Sequence, residues 1–544
     1  MADGNKQGRR VAVVGSGLAG LATSYMLQKS GFVVELFEQE NSIGMDAGSL
    51  TVDGVRIDVP FRVFTPDYYP YLYSLYTHLG IEFAAADYSL GFTGDRGESI
   101  WSYTNSTIGD FQMPIPDSIY KTDRTRVTRN WLRLVFACVR VMRTPRVLQP
   151  GGRLDKLTIG EYLNEEQYST VFIEHVFLPF IASLLTCSLR AAREYPATTI
   201  LHFVAKAVCG ARLRKARRGV QHVCHVLAQG LCVHLSTRVD AIEVSDTSDK
   251  GRVNVVTGDK SHWFDDIVLA TPADVSARLL RTSGCEFPSD LVDALTSVLY
   301  EDTEVVTHRD ERVMPAQQAE WRGVNIRTHD GHAHAMASHW INHVERTSNG
   351  QILSSQVFQT VDPLLKLDSS KVIGSTHFRR SLVTLDSQSR INSIHKHQGT
   401  HKVWFVGSYT SPGVPLLEGC VRTAVDVVRA MSGRVVFGAP RMERSGYEVG
   451  LGERMARGEV VEAFFECDAA RTFHSEWPKH GRLWVWMAFG VLLPIVALVV
   501  DMADMALGAV LGRDIACRVQ FAVMDVFVFV VCMAQMAYSR ITAL

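Results

Sequence analysis

The stretch VVGSGLAGLA, Val13 to Ala22, constrains this chain more than any other. It follows the opening of a short apolar run, 11–14, and begins a segment in which Leu18, Leu21, Ala22, Tyr25 and Met26 recur at helical spacing until Gly31. A second run, VVELFE, ends on Glu38, 18 positions beyond Gly20. Strand, glycine turn, helix and strand with a terminal acid make a βαβ unit of about 30 residues, built to hold a dinucleotide. Gly15 permits the tight turn, Gly17 lets backbone amides approach a pyrophosphate, and Gly20 lets helix and strand pack closely. The helix N-terminus adds partial positive charge, so Ser16, Leu18 and Ala19 are candidate phosphate contacts. Glu38, with Gln39 beside it, is the candidate adenosine-ribose contact, and its charge disfavours a 2′-phosphate. The unit alone does not choose between NAD and FAD.

Length and charge narrow the rest. A chain of 544 residues has room for two or three domains, and 56 Lys+Arg against 57 Asp+Glu leave no net field that would draw nucleic acid. The ten cysteines and 19 histidines form no CxxC or other zinc spacing, so reduced thiols and no metal site are expected. The first ten residues lack an apolar signal region, which points to a cytosolic main body. Two apolar runs, 483–500 and 519–538, are each just long enough to cross a bilayer core of about 30 Å. Asp525 interrupts the second, and Asp501 and Asp504 follow the first, so membrane attachment competes with a buried or monotopic hairpin.

Further along, SIGMDAGSLTVDGVRIDVPFRVF, Ser42 to Phe64, sets a glycine loop before two alternating segments around Asp53-Gly54. A helix is expected from about Thr65-Pro66-Asp67 to Gly80; its Tyr68, Tyr69, Tyr71, Tyr73 and Tyr76 suit either a packed face or a substrate-facing aromatic wall. Residues 218–279 read as helix, strand, a hairpin at Gly258-Asp259 and a buried strand, DIVLATPA. In VWFVGSYTSPGVPLLEGCVRTAVDVVRAM, Val403 to Met431, a strand ends at Gly407 and a helix begins near Glu418-Gly419. These three blocks, in this order, resemble the FAD-dependent amine oxidase and phytoene desaturase superfamily. Within it, IDVPFRVFTPDYYPYLYSLYTHLG and VVTHRDERVMPAQQAEWRGVNI are similar to segments of the NAD/FAD-binding proteins found near cyclopropane fatty acid synthases.

The resemblance implies FAD, with Gly44, Met45 and Asp46 in the flavin loop, Val239 and Thr271 at the adenosine side, and Gly407, Glu418 and Gly419 at the ribityl chain and pyrimidine edge. It implies an α/β fold: a Rossmann-like FAD-binding domain from 8–80, 216–280 and 401–435, interleaved with an α+β substrate domain. That second domain would comprise a mainly helical region, 81–215, and a sheet region, 281–400. A linker, 436–482, and a C-terminal hydrophobic helical hairpin, 483–540, would follow. The chain departs from the family at Ser42-Ile43-Gly44-Met45, where Arg-x-Gly-Gly is usual, and at Asp58-Val59-Pro60, where the narrower group has Asp-x-Gly.

Amine oxidation in this superfamily leans on a substrate-domain lysine and on an aromatic residue two positions before the Glu-Gly pair. No lysine occurs in 261–365, and the aromatic position is Leu416. Hydride transfer from an apolar chain makes fewer demands, since the flavin takes the hydride while the protein orients the chain and excludes water. The leading expectation is therefore desaturation, or redox-linked double-bond isomerisation, of a lipid, polyene or terpenoid-like substrate. A small-amine oxidase, a non-catalytic flavin-binding membrane protein and an NAD-dependent dehydrogenase are the alternatives. His308 and Asp310, at alternating positions, are candidates for proton transfer, and Arg62 for steering an anionic group.

Overall fold

The five strands Cys232–His234, Val33–Phe37, Arg10–Val14, Asp266–Leu269 and Val403–Phe405 lie side by side in that order, all parallel. Chain segments more than 350 residues apart thus meet in one sheet. The structure, a computed structural model, describes residues 8–438 except 45–47, 96, 109–110, 118–121, 144–151, 209, 246–251, 330 and 350–352. Met45, Asp46 and both apolar runs beyond residue 482 lie outside the described residues. Among those described, no helix is long and apolar enough to cross a membrane.

The first strand shows why the sheet is buried on both faces. Val11 and Val13 face the helices Leu18–Lys29, Gly219–Ala228 and Leu417–Ala430, whereas Ala12 and Val14 face the three-stranded antiparallel layer formed by 241–244, 253–257 and 260–264. The expected hairpin at Gly258-Asp259 joins the last two of these strands. Helix Pro70–His78 starts later than its sequence suggests, because Pro70 takes its first position, where a missing N–H costs nothing.

A nine-stranded sheet forms the second layer system, in the order 372–381, 300–308, 358–361, 336–340, 324–327, 90–93, 99–108, 111–116, 210–211. Four strands between Phe83 and Pro116 fall inside the stretch expected to be mainly helical, and three of them join this sheet. Helices do dominate from Thr122 to Ala207. The basic, apolar segment 129–143 belongs to helix Thr122–Arg143, and its Trp131, Leu132, Leu134 and Val135 are core residues. Arg133 is buried with them, its guanidinium 4.5 Å from the Tyr168 ring and donating to Glu166 O.

Candidate active site

Glycine packing defines the dinucleotide cradle. A Cβ on Gly15 would stand 2.7 Å from Ala270 O, one on Gly20 2.0 Å from Gly15 O, and one on Gly44 1.8 Å from Ser16 O. Gly15 and Gly44 also have φ of +100° and +39°, a region that favours glycine. Gly17 differs: among the described residues nothing lies within 4 Å of its Cβ position. Gly17 is also the N-cap of helix Leu18–Lys29, which has no side-chain cap and no acid in its first turn. Among the described residues, backbone donors with no built-in anion therefore open onto unfilled space, and that arrangement fits a pyrophosphate.

Ser16 connects this cradle to Glu38. It is fully buried; its N–H and hydroxyl donate to Glu38 Oε2 at 2.8 and 2.6 Å, and its Oγ accepts the Gly44 N–H at 2.8 Å. Glu38 Oε1 accepts the Glu40 N–H at 3.0 Å. Ser16 acts here by positioning Glu38 and the flavin loop, while Gln39 is exposed and reaches only Glu40. Val239 is buried against the antiparallel layer, and Thr271 exchanges a hydrogen bond with Ser276 at 2.8 Å.

The C-terminal block closes the cradle from the other side. Helix Leu417–Ala430 also starts without a side-chain cap and packs along helix Leu18–Lys29. Gly419 lies so close to Ser411 and Ser408 that its Cβ would approach to 3.0 and 3.4 Å. Glu418 turns away from its own helix: its two oxygens accept the N–H groups of Tyr71 and Leu72, each at 3.0 Å. It thereby satisfies the start of helix Pro70–His78 and ties it to the C-terminal block.

Sequence reasoning missed the wall supplied by strand 372–381. Gly374, Thr376, Phe378 and Arg380 share its half-buried face, and the first three pack against Leu50 and Gly48 of the flavin-loop hairpin. The signal was present as a two-residue alternation, but only the pairing shows what that face meets. Arg380 donates to Thr186 Oγ1 at 2.9 Å; burial and the nearby Arg62 guanidinium push it down to about 10, which leaves it protonated at neutral pH. Gln359 pins the intervening turn by accepting the Phe61 N–H at 2.6 Å and donating to Asp58 O at 3.0 Å.

A cavity of about 640 Å³ opens between the start of helix Pro70–His78, helix Ala197–Ala207, the segment 381–392 and the loop 408–415. Tyr68, Tyr71, His202, Leu382, Ile391 and Pro412 are among its walls. All four of Tyr68, Tyr69, Tyr71 and Tyr76 are core residues, and Tyr68 and Tyr71 also border the cavity.

His308 and Asp310 do not line that cavity. The strand ends at His308, so the expected common strand face does not extend to Asp310, which caps a short 3-10 turn and pairs with Arg312. His308 is fully buried; Nε2 shares a hydrogen bond with Thr360 Oγ1 at 2.7 Å and Nδ1 accepts the Asp310 N–H at 3.0 Å. Burial pushes it down to about 4, against the weaker pull of Asp310, and burial pushes His339 to about 4 as well. Both are neutral when folded and take up a proton on unfolding below about pH 6.5. Stability is therefore expected to fall between pH 6.5 and about pH 4, by on the order of a few kcal/mol for the pair. Denaturant midpoints measured across that window should show a shallower fall in His308→Gln; an unchanged slope would contradict this assignment.

The comparisons agree with the cradle. Residues 13–79 match the NAD(P)-binding Rossmann-like domain family. Zeta-carotene desaturase from Synechocystis sp. is 46% identical over 61 residues, which are 11% of this chain and 12% of that protein. Cyclohexylamine oxidase from Brevibacterium oxydans superposes with a TM-score of 0.54 at 15% identity, covering 78% of this chain and 99% of its own. The CLA-producing fatty acid isomerase from P. acnes does so at 0.52 and 15%, covering 77% and 98%.

Proposed function

Since the chain has the fold of the FAD-dependent amine oxidase and phytoene desaturase superfamily, we propose that it is an FAD-dependent oxidoreductase acting on a lipophilic substrate, by desaturation or hydride-returning double-bond isomerisation. The observation that carries the cofactor is the double closure of the cradle. Among the described residues Gly17 leaves unfilled space before an uncapped helix, and a second uncapped helix, beginning at Leu417, packs along that helix. Gly15, Gly17, Ser16 and Glu38 would hold the adenosine diphosphate half, and residues 407–419 the flavin half. When bound, FAD supplies a two-electron hydride acceptor.

The chain's own residues then orient the substrate and keep water out. The amine alternative lacks support at two places: lysine is missing from 261–365, and Leu416 is the N-cap of the C-terminal helix. The 640 Å³ cavity lies within the range of roughly 300–1,000 Å³ usual for small-molecule sites, with Leu382, Ile391 and Pro412 offering apolar surface to a chain. Arg62 and Arg380 stand near each other, outside the lining of the cavity, and their paired cationic charge suits an anionic group. The apolar runs 483–500 and 519–538 support attachment to a membrane, from which such a substrate would partition, with the catalytic body on the cytosolic side.

Purified full-length protein should be yellow; with linoleic acid or zeta-carotene dispersed in liposomes under anaerobic conditions, its flavin should bleach if the reaction is desaturation, or the substrate's double bonds should shift without lasting bleaching if the hydride is returned. Bleaching by cyclohexylamine or putrescine with no response to either lipid would overturn the reading. Flotation with liposomes of anionic phospholipid tests the membrane part; protein remaining at the bottom of the gradient would count against it.

A further inference from the structure

On the far edge of the parallel sheet, two donors close in sequence are joined by a third from some 200 residues earlier in the chain. Cys232 and His234 are two residues apart on the edge strand, so their side chains leave the same face, and Glu35 is the cross-strand neighbour of Cys232. Their ligand atoms all lie within 4.8 Å of one another: Cys232 Sγ is 3.6 Å from His234 Nε2, which is 3.0 Å from Glu35 Oε2.

We propose that Glu35, Cys232 and His234 form a zinc-class metal site, outside the flavin cradle, with water completing a tetrahedron. Thiolate, imidazole and carboxylate are the three side-chain ligand types that zinc takes, at about 2.0–2.3 Å each, so an ion can reach all three after small side-chain movements. The supporting contacts have the character expected around such an ion. Arg10 Nη2 donates to the other Glu35 oxygen at 2.6 Å, leaving Oε2 for the ion, and the Phe37 ring stacks on His234 with centroids 4.7 Å apart, fixing the imidazole plane. Cys232 is exposed and His234 partly so, which gives an ion a route in. Binding exchanges the Cys232 thiol proton for a sulfur–metal bond and releases that proton to solvent, so affinity rises with pH.

The site is a clasp rather than a second active centre. It joins the edge strand Cys232–His234 to strand Val33–Phe37, and the His234 carbonyl accepts the N–H of Glu38 at 2.9 Å. An ion here stabilises the loop that presents the candidate ribose acid.

Metal-free full-length protein titrated with Co(II) should show one equivalent with a sulfur-to-cobalt charge-transfer band in difference spectra, displaced by Zn(II). Cys232→Ser should abolish the band. His234→Ala should weaken binding at least by the roughly tenfold that loss of an outer-shell partner costs. Cys285→Ser, away from the cluster, should change neither, and flavin absorbance retained in all three variants controls for folding. Zn(II) should also raise the melting temperature of the unmodified chain and not that of Cys232→Ser or His234→Ala. A missing charge-transfer band, a band that survives in Cys232→Ser, or equal weakening in Cys285→Ser would overturn the site. The titration holds in apoprotein too, so loss of the flavin reading would leave it testable.

Discussion

Gly17→Val is expected to yield a folded protein without flavin. Its backbone, at φ −58° and ψ 171°, suits any residue, and among the described residues nothing lies within 4 Å of the position its Cβ would take. The apoprotein should therefore keep its far-ultraviolet circular dichroism and its denaturant midpoint. The new side chain would instead occupy the space before helix Leu18–Lys29 and keep a pyrophosphate from the backbone amides. Loss of two charge-assisted hydrogen bonds, at about 1.5 kcal/mol or more each, amounts to roughly a hundredfold or greater loss of FAD affinity. Titration of apoprotein with FAD, followed by flavin fluorescence, measures it. Gly20→Ala is the contrasting case: with Gly15 O only 2.0 Å from the new Cβ, it should lower the midpoint as well. Tight FAD binding by Gly17→Val would remove the cradle from the cofactor site.

Glu345→Ala should be among the most destabilising single changes. Glu345 and Lys215 are 3% and 5% exposed and form a direct ion pair, linking the residues before helix Gly219–Ala228 to helix Ile341–Asn349. Removing one partner leaves the lysine charge buried, which costs about 3–5 kcal/mol. Replacing both by apolar residues of similar volume, Lys215→Met with Glu345→Leu, should recover most of that loss, because neither charge then has to leave water. The effect also reaches Asp58. Asp58 is pushed up by burial, while the Val220 N–H and the charges of Arg62 and Lys215 pull it down, so the Lys215–Glu345 pair sets part of its field. The test is a double-mutant cycle in denaturant midpoints; a double variant no more stable than Glu345→Ala would contradict the argument.

Much of the cradle is legible in the amino-acid order alone. Gly15, Gly17, Gly20 and Glu38 stand within one βαβ unit, where local sterics and hydrogen bonding set each position, and periodicity reveals both strand and helix. The hairpin at Gly258-Asp259 and the helix at Glu418-Gly419 are legible for the same reason. His308 is harder. Its alternation with Asp310 reads as a shared strand face, but the strand ends at His308, and the hydrogen bonds to Thr360 and Asp310 depend on segments whose pairing no local pattern announces.

What the sequence determined by itself is the dinucleotide unit, because a glycine turn and a period of 2 or 3.6 are properties of neighbouring residues. It also determined the chemical inventory of the flavin side, including the lysine-free span and Leu416. Only the tertiary structure decided which of those residues meet. The cavity is enclosed by segments as far apart as 67–71 and 408–422; Arg380 comes to Arg62 through strand 372–381; and Glu418 caps a helix some 350 residues upstream. The cluster of Glu35, Cys232 and His234 shows the division most plainly. Spacing along the chain displays only a Cys and a His two apart, and the third donor is supplied by strand order in the sheet, which sets Glu35 opposite Cys232 across two parallel strands.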